Sequence, residues 1–174
     1  MTYKESLSAA MVELASDPLV RFVGYGVRYG GRAAGTLKDI PEDRCIKTPV
    51  AENLMVGLAM GLAMRGLRPV VYIERFDFIL NAMDAIVNHL DKIERLSKKE
   101  FNPCAILRVV AGNRDKPLFT GITHTQDFTL AIRQMVSFPV KRLEQADDIL
   151  PSYRHALKML HAHSTMLIEL KDLI

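Results

Sequence analysis

Two spacings of hydrophobic residues alternate along this chain. Short, mainly apolar runs typical of strands occupy residues 20–23, 44–47, 70–76, 104–112, 140–143 and 165–170. Between these runs, apolar side chains recur every three or four residues, as they do on one face of a helix. This alternation predicts an α/β fold with three α/β/α layers and a mainly parallel sheet.

Local signals predict where several helices begin and end. Thr2 and Glu5 have the spacing of a capping box, and Asp17-Pro18 should end the helix that follows. Thr48-Pro49 is expected to open the second helix. Later helices are predicted at 79–98, 126–135 and 147–163.

The second predicted helix carries no ionisable side chain from Asn53 to Met64. Gly57 and Gly61 lie one turn apart, and small residues at this spacing let another backbone approach closely. A helix without a polar face should be buried on all sides. We therefore predict a subunit interface at the Gly57/Gly61 helix, within a homo-oligomer. A central helix inside one monomer remains an equal alternative.

Composition excludes several classes of protein. The 174 residues suit one domain spanning 1–174, and a net charge of +3 without a basic tract argues against nucleic acid. Cys45 and Cys104 lie too far apart to suggest a disulfide framework or a zinc site, so no metal-binding residue is predicted. The first residues do not resemble a secretory signal, and the apolar run at 54–64 is too short for a membrane span of about 20 residues. We expect a cytoplasmic location.

Glycines crowd the loop after the first strand. Gly24, Gly26, Gly30 and Gly31 could let a backbone approach a phosphate, but their spacing fits neither a dinucleotide fingerprint nor a Walker loop. Turns that require positive φ are the favoured interpretation.

Glu52 falls in the first turn of the apolar helix. The helix dipole would favour a negative charge there by about 0.3–1 kcal/mol, which is one explanation. The other is that burial keeps the carboxyl group available as a proton donor or acceptor. Sequence position alone leaves both open.

His124 differs from the other four histidines, which are expected at helix ends or on exposed helix faces. It lies in the segment GITHTQDF, beyond the carboxyl end of a predicted strand. Ligands in parallel α/β folds bind at that edge, so His124 is a candidate catalytic residue. No hydrolase motif accompanies it.

A long ordered pattern lies in TPVAENLMVGLAMGLAMRGLRPVVYIERFDFILNAMDAIVN. With HTQDF and the closing IEL, it resembles the amino-terminal half of the beta subunit of the decarboxylating component of 2-oxoacid dehydrogenases. That component uses thiamine diphosphate. The resemblance covers essentially the whole chain. It identifies the pyrimidine-binding domain of the transketolase-like enzymes, and it implies an oxidoreductase or transferase.

The resemblance implies roles for particular residues. Glu52 matches the glutamate that hydrogen-bonds the cofactor's aminopyrimidine and so promotes ylid formation on the thiazolium. Phe78 matches the aromatic that stacks on this ring, and Val50 an aliphatic residue that lines the cofactor. His124 matches a histidine on the substrate side. Tyr25 stands next to the cofactor, at a place where the family has an acid.

The resemblance also implies a partner. In the family the diphosphate and Mg²⁺ are held by a Gly-Asp-Gly motif on another domain, and this sequence has no such motif. It shows neither a diphosphate-binding domain nor a carboxyl-terminal transketolase domain. The chain would supply half of an active site and need an alpha-type subunit for the rest. The alternative is a stand-alone, non-catalytic binding or regulatory domain that forms homo-oligomers.

Overall fold

Six parallel strands form one sheet in the order β2-β1-β3-β4-β6-β5. The computed structural model describes residues 1–28, 32–117 and 121–174, so Gly30 and Gly31 of the glycine loop lie outside the described residues. The strands are β1 Val20–Gly24, β2 Cys45–Lys47, β3 Arg68–Ile73, β4 Ile106–Ala111, β5 Val140–Arg142 and β6 Thr165–Leu170.

Helices cover both faces of the sheet. The α-helices are α1 Tyr3–Ala15, α2 Glu52–Met64, α3 Ile93–Leu96, α4 Thr129–Met135 and α5 Ala146–Met159. Three 3₁₀ helices span Glu42–Arg44, Phe76–Ala82 and Lys171–Leu173, and a π-helix spans Asp84–Leu90. No helix among the described residues is long and apolar enough to cross a membrane.

The core has two halves because successive strand residues point to opposite faces of the sheet. On β3, Val70 and Tyr72 face the layer of α1 and α5, whereas Val71 and Ile73 face the other layer. That second layer consists of α2, α4 and the irregular helices between residues 76 and 90. The predicted three-layer α/β/α fold is therefore confirmed.

Several local predictions are also confirmed. All six predicted strands are present, with bounds that shift by a few residues. Thr2 and Glu5 form the capping box: the Glu5 amide donates to Thr2 Oγ1 at 3.2 Å, and the Thr2 amide donates to Glu5 Oε2 at 2.8 Å. This reciprocal pair fixes the start of α1.

The start of α2 was predicted too early. The helix begins at Glu52, and residues 48–51 remain non-helical. The Thr48 amide donates to the Gly24 carbonyl at 3.2 Å, which extends the pairing of β1 with β2. This bond continues the extended chain beyond β2, and the helix begins four residues after Thr48.

The single long helix predicted at 79–98 is wrong. The chain instead passes through a 3₁₀ helix, a π-helix and the short α3. The Ala85 amide donates to the side chain of Asn53 on α2, at 3.2 Å. A side chain that captures a backbone amide in this way interrupts the regular helical ladder.

A buried polar network crosses the layer of α1 and α5, and sequence reasoning did not foresee it. Arg108 on β4 donates to both carboxylate oxygens of Glu169 on β6, from Nε at 2.6 Å and from Nη2 at 3.0 Å. The Tyr153 hydroxyl adds a bond of 2.5 Å to Glu169. Arg108 Nη2 also donates to Thr36 Oγ1 at 2.7 Å. Both charged side chains are completely buried.

Candidate functional site

The candidate site lies where the connections of the sheet diverge. The chain leaves β1 toward β2 on one side, whereas it leaves β3 toward β4 on the other. In open parallel sheets such a reversal opens a crevice beyond the carboxyl ends of the two strands. Tyr25 directly follows β1 and Glu74 directly follows β3, so both residues lie at this crevice.

Glu52 is the first residue of α2 and is only 3% exposed. The α2 amino terminus, whose dipole favours a negative charge, is the local stabilising influence. No side chain or amide in the described ranges donates a hydrogen bond to its carboxylate. Its oxygens are not among the buried, unpartnered polar atoms of the described residues, so they reach the crevice and are open to a donor from outside the chain.

Phe78 and His124 meet although they lie far apart in sequence. Their ring centroids are 5.0 Å apart and the rings are nearly perpendicular, at 82°. Phe78 lies in the 3₁₀ helix that follows β3, and both rings are half-buried. Two residues predicted to serve one site are thus in contact.

The backbone of His124 is in the left-handed region, with φ of +72°. Its Nδ1 lies 2.9 Å from Thr123 Oγ1. Its carbonyl oxygen passes so close to Gly112 that a Cβ added there would lie 2.2 Å away. Only glycine permits that approach. Sequence reasoning missed this role of Gly112, although a glycine directly after a buried strand is a signal for it.

Tyr25 does not stand alone in the crevice. Its ring packs against the apolar core beneath α2, and its hydroxyl donates to the carboxylate of Glu74. Burial, followed by the hydrogen bond to the negative Glu74, raises the pKa of Tyr25 above its usual range. Glu74 was not predicted, although its place directly after a buried strand marks it as a residue of this edge.

Val50 lies apart from these contacts. It is 70% exposed, in the non-helical segment before α2. Leu54 on α2 and Leu80 in the 3₁₀ helix are likewise exposed large apolar residues. Exposed apolar side chains thus lie close in sequence on both sides of the buried Glu52, and another lies in the 3₁₀ helix after β3.

Within the described residues of one chain, α2 is buried on one face only, so its predicted burial at a subunit interface stays a prediction. Met55, Val56 and Ala59 are buried, but Leu54 and Met64 on the opposite face are about half exposed. Nothing in the described structure lies within 4 Å of a Cβ added at Gly57 or Gly61. The alternative of a central helix inside one monomer is excluded, because described residues do not cover this face.

The residues present suit an aromatic, nitrogen-containing ligand better than a metal ion. Glu52 offers an unpaired carboxylate, and Phe78 offers a half-buried aromatic ring. A carboxyl group can hydrogen-bond a ring nitrogen, and an aromatic face can stack on a flat ring. Among the residues described, no three His, Cys, Asp or Glu side chains are grouped so as to hold a metal.

Comparison with known proteins is consistent with this donor set. Residues 1–98 match the family described as "Transketolase, pyrimidine binding domain". The chain is 34% identical over 134 residues to the pyruvate dehydrogenase E1 component subunit beta of Saccharomyces cerevisiae, covering 74% of this chain. It is 32% identical over 117 residues to the 2-oxoisovalerate dehydrogenase subunit beta of Bacillus subtilis, covering 64% of this chain.

These matches span only part of the relatives. The aligned region covers 36% of the Saccharomyces cerevisiae protein and 36% of the Bacillus subtilis protein. Among solved structures, a split gene transketolase described as an inactive beta4 tetramer superposes with a TM-score of 0.72 and 16% identity. That superposition covers 97% of this chain and 51% of the transketolase chain, and at such identity it establishes the fold alone.

Proposed function

This chain belongs to the transketolase pyrimidine-binding family, and from that premise we propose that it is the pyrimidine-binding half of a 2-oxoacid dehydrogenase. The family depends on thiamine diphosphate. Two beta subunits of dehydrogenases that act on 2-oxo acids are among its relatives. Under this proposal the substrate is a 2-oxo acid.

One observation carries the proposal: the side chain of Glu52 is almost wholly enclosed, and no described residue donates a hydrogen bond to its carboxylate. A protonated ring nitrogen of an aminopyrimidine beside Glu52 would supply such a donor. Glu52 would hold or release that proton at its carboxyl oxygen. Thiamine diphosphate, when bound, supplies an electron sink for cleavage next to a carbonyl group.

The other residues of the crevice have supporting roles in this proposal. Phe78 would stack on the pyrimidine and Val50 would cover its exposed side. His124, in edge contact with Phe78 at 5.0 Å, would face the substrate. Tyr25 would line the cofactor, with its hydroxyl held by Glu74.

Residues 1–174 contain no Gly-Asp-Gly motif, so the diphosphate and its Mg²⁺ would be held by residues outside this range, for which we propose an alpha-type subunit. The open apolar face of α2, with Gly57 and Gly61, is suited to close packing against a second subunit. Residues 1–174 would then act as one pyrimidine-binding domain within a larger assembly.

The test combines this chain with a Gly-Asp-Gly-containing partner chain, thiamine diphosphate and Mg²⁺, and measures turnover of pyruvate and branched 2-oxo acids. Glu52→Gln should lower kcat by about 10²- to 10⁴-fold, since it removes the proton-transferring group and keeps the shape. Glu100→Gln, on an exposed loop, is the matched control and should leave kcat unchanged. Equal activity of both variants would contradict the role of Glu52.

A second measurement does not need turnover. Thiamine titrated into this chain alone should shift the NMR signals of Phe78 and His124 in the wild type, and less in Glu52→Gln. Signals that move identically in both proteins would rule out a contact between Glu52 and the aminopyrimidine. No movement in the assembled protein would favour the alternative, a non-catalytic binding or regulatory domain.

A further inference from the structure

A second crevice lies at the same edge of the sheet, between the carboxyl ends of β4 and β6. The chain skips over β6 when it passes from β4 to β5, and it returns to pair β6 with β4 as the last strand. A cavity of about 360 Å³ opens at this point, with Gly112 after β4 and Lys171 after β6 in its wall. This volume lies within the range of small-ligand sites.

Three cationic side chains converge on the cavity. Arg114 comes from the loop after β4, Lys171 directly follows β6, and Arg142 is the last residue of β5. Side chains at the carboxyl ends of neighbouring parallel strands meet at one edge, which explains why residues so distant in sequence are neighbours here.

The acidic groups of the cavity are already engaged. Arg142 is paired with the carboxylate of Asp127 and, at 3.3 Å, with that of Glu144. The carboxylate of Asp172 accepts a hydrogen bond from the side-chain amide of Asn113. The charge of Asp127 is thus paired with Arg142, whereas Asp172 is oriented by a neutral amide and keeps its negative charge at the rim of the cavity.

Arg114 and Lys171 have no such partner. No carboxylate in residues 1–28, 32–117 or 121–174 forms an ion pair with either side chain. Burial, followed by the nearby positive charges of Arg75 and Lys4, lowers the pKa of Lys171, and the carboxylates of Glu74 and Asp172 offset this only in part. The surroundings of Lys171 therefore disfavour its positive charge, and a negative charge in the cavity would relieve this.

We infer that this cavity binds a small oxyanion, a phosphate or carboxylate group, between Arg114 and Lys171. Charged nitrogen donors form strong hydrogen bonds with such oxygens, and Arg114 can offer two parallel donors. Neither Glu52 nor Phe78 lines the cavity, so the site is separate from the β1/β3 crevice. The inference does not depend on the proposed function.

Residues next to His124 line the cavity, so NMR signals there can report binding. Thr125, the neighbour of His124, lines the cavity, and Gly112 in the same wall lies against the His124 carbonyl. An anion bound in the cavity would therefore be expected to change the NMR signals of the His124 imidazole and the Thr125 amide.

The experiment titrates sodium phosphate and sodium malonate separately into the chain, at constant ionic strength adjusted with chloride. Saturable shifts at Thr125 and Lys171 with either anion support the site, and the tighter ligand identifies phosphate or carboxylate chemistry. Shifts that grow linearly, or that chloride alone reproduces, would overturn the inference.

Variants locate the binding. Lys171→Met and Arg114→Gln should each lower the affinity for the tighter-binding anion by about tenfold. This is the loss expected when one charge-assisted hydrogen bond disappears. Lys171→Arg should retain binding, which separates loss of charge from damage to the fold. Lys158→Met, an exposed change on α5 away from the cavity, is the control. Equal affinity in all four variants would also overturn the site.

Discussion

Two glutamates are buried in this chain, and their surroundings differ in almost every respect. Glu169 is completely buried on the α1/α5 side, where Arg108 and Tyr153 donate three hydrogen bonds to its carboxylate. Glu52 is 3% exposed on the α2 side, and no described residue donates to it. The same chemical group thus occurs once fully paired and once unpaired.

The difference separates a structural charge from one that is available for chemistry. A buried ion pair need not add net stability, but removal of one partner leaves a costly charge behind. The Glu169 carboxylate is therefore committed to the fold. The Glu52 carboxylate has no partner to lose, so its replacement should affect a ligand more than the fold.

Arg108→Met should have the largest effect. It leaves Glu169 buried without its cationic partner, and we expect the free energy of unfolding to fall by about 3–5 kcal/mol. Urea denaturation followed by circular dichroism measures this. The double variant Arg108→Met/Glu169→Met should recover most of the loss, because no buried charge remains. A loss below about 1 kcal/mol in the single variant would contradict the importance of the pair.

Tyr153→Phe should have an intermediate effect. It keeps the ring but removes the bond of 2.5 Å to Glu169, while both bonds from Arg108 remain. A hydrogen bond to a charged group contributes about 1.5–3 kcal/mol, so the unfolding free energy should fall by that amount. Thr36→Val also removes a buried hydroxyl of the network, but it is not equivalent, because Thr36 accepts a hydrogen bond from Arg108 and makes none to Glu169.

Alkaline pH should test the shielded tyrosine hydroxyls on both sides of the sheet. Burial is the largest cause that raises the pKa of the tyrosines Tyr3, Tyr25, Tyr72 and Tyr153 above their usual range. Below about pH 10 these groups are protonated in both states, and their stabilising effect is complete. Above it the unfolded chain loses protons that the folded chain keeps, so the unfolding free energy falls as pH rises.

Tyr153→Phe removes one of these groups. Above the usual tyrosine pKa, the unfolding free energy of this variant should fall less steeply with pH than that of the wild type, by about 1.4 kcal/mol per pH unit. Urea titrations from about pH 9 to about pH 11.5, around the usual tyrosine pKa, measure how the unfolding free energy of each protein changes with pH. Identical slopes would show that Tyr153 ionises as easily in the folded chain as in the unfolded one.

Glu52→Gln should have the smallest effect on stability. We expect the unfolding free energy to change by no more than about 0.5 kcal/mol, or to rise, because no described hydrogen bond is lost. Glu169→Gln is the matched comparison and should be strongly destabilising. If both variants lost stability to the same degree, the contrast between paired and unpaired carboxylates would be wrong.

The sheet was predictable from sequence because each strand is a short apolar run, and all six were found. Helix boundaries were less predictable, since contacts between distant segments decide them. Thr48 bonds back to Gly24, and Asn53 captures the Ala85 amide. Neither contact has a local signature, so the predicted starts and lengths of these helices were wrong.

The candidate site was predictable where a residue type alone carries chemistry. Position and residue type made Glu52 and His124 candidates, whereas Phe78 was assigned only through the family resemblance; Phe78 and His124 are in contact. Glu74 was missed, because its significance lies in a partner from a neighbouring strand. The pair of Arg108 and Glu169 was missed for the same reason: charged residues inside apolar runs reveal their pairing only when the register is known.

The open face of α2 has a consequence for the chain before any assembly. Leu54 and Met64, about half exposed, flank a helix surface without a single charge. An uncovered apolar surface promotes aggregation. Copies that outnumber their binding partners should therefore precipitate or be degraded, so the amount of this chain that accumulates in a cell should follow the supply of whatever covers that face.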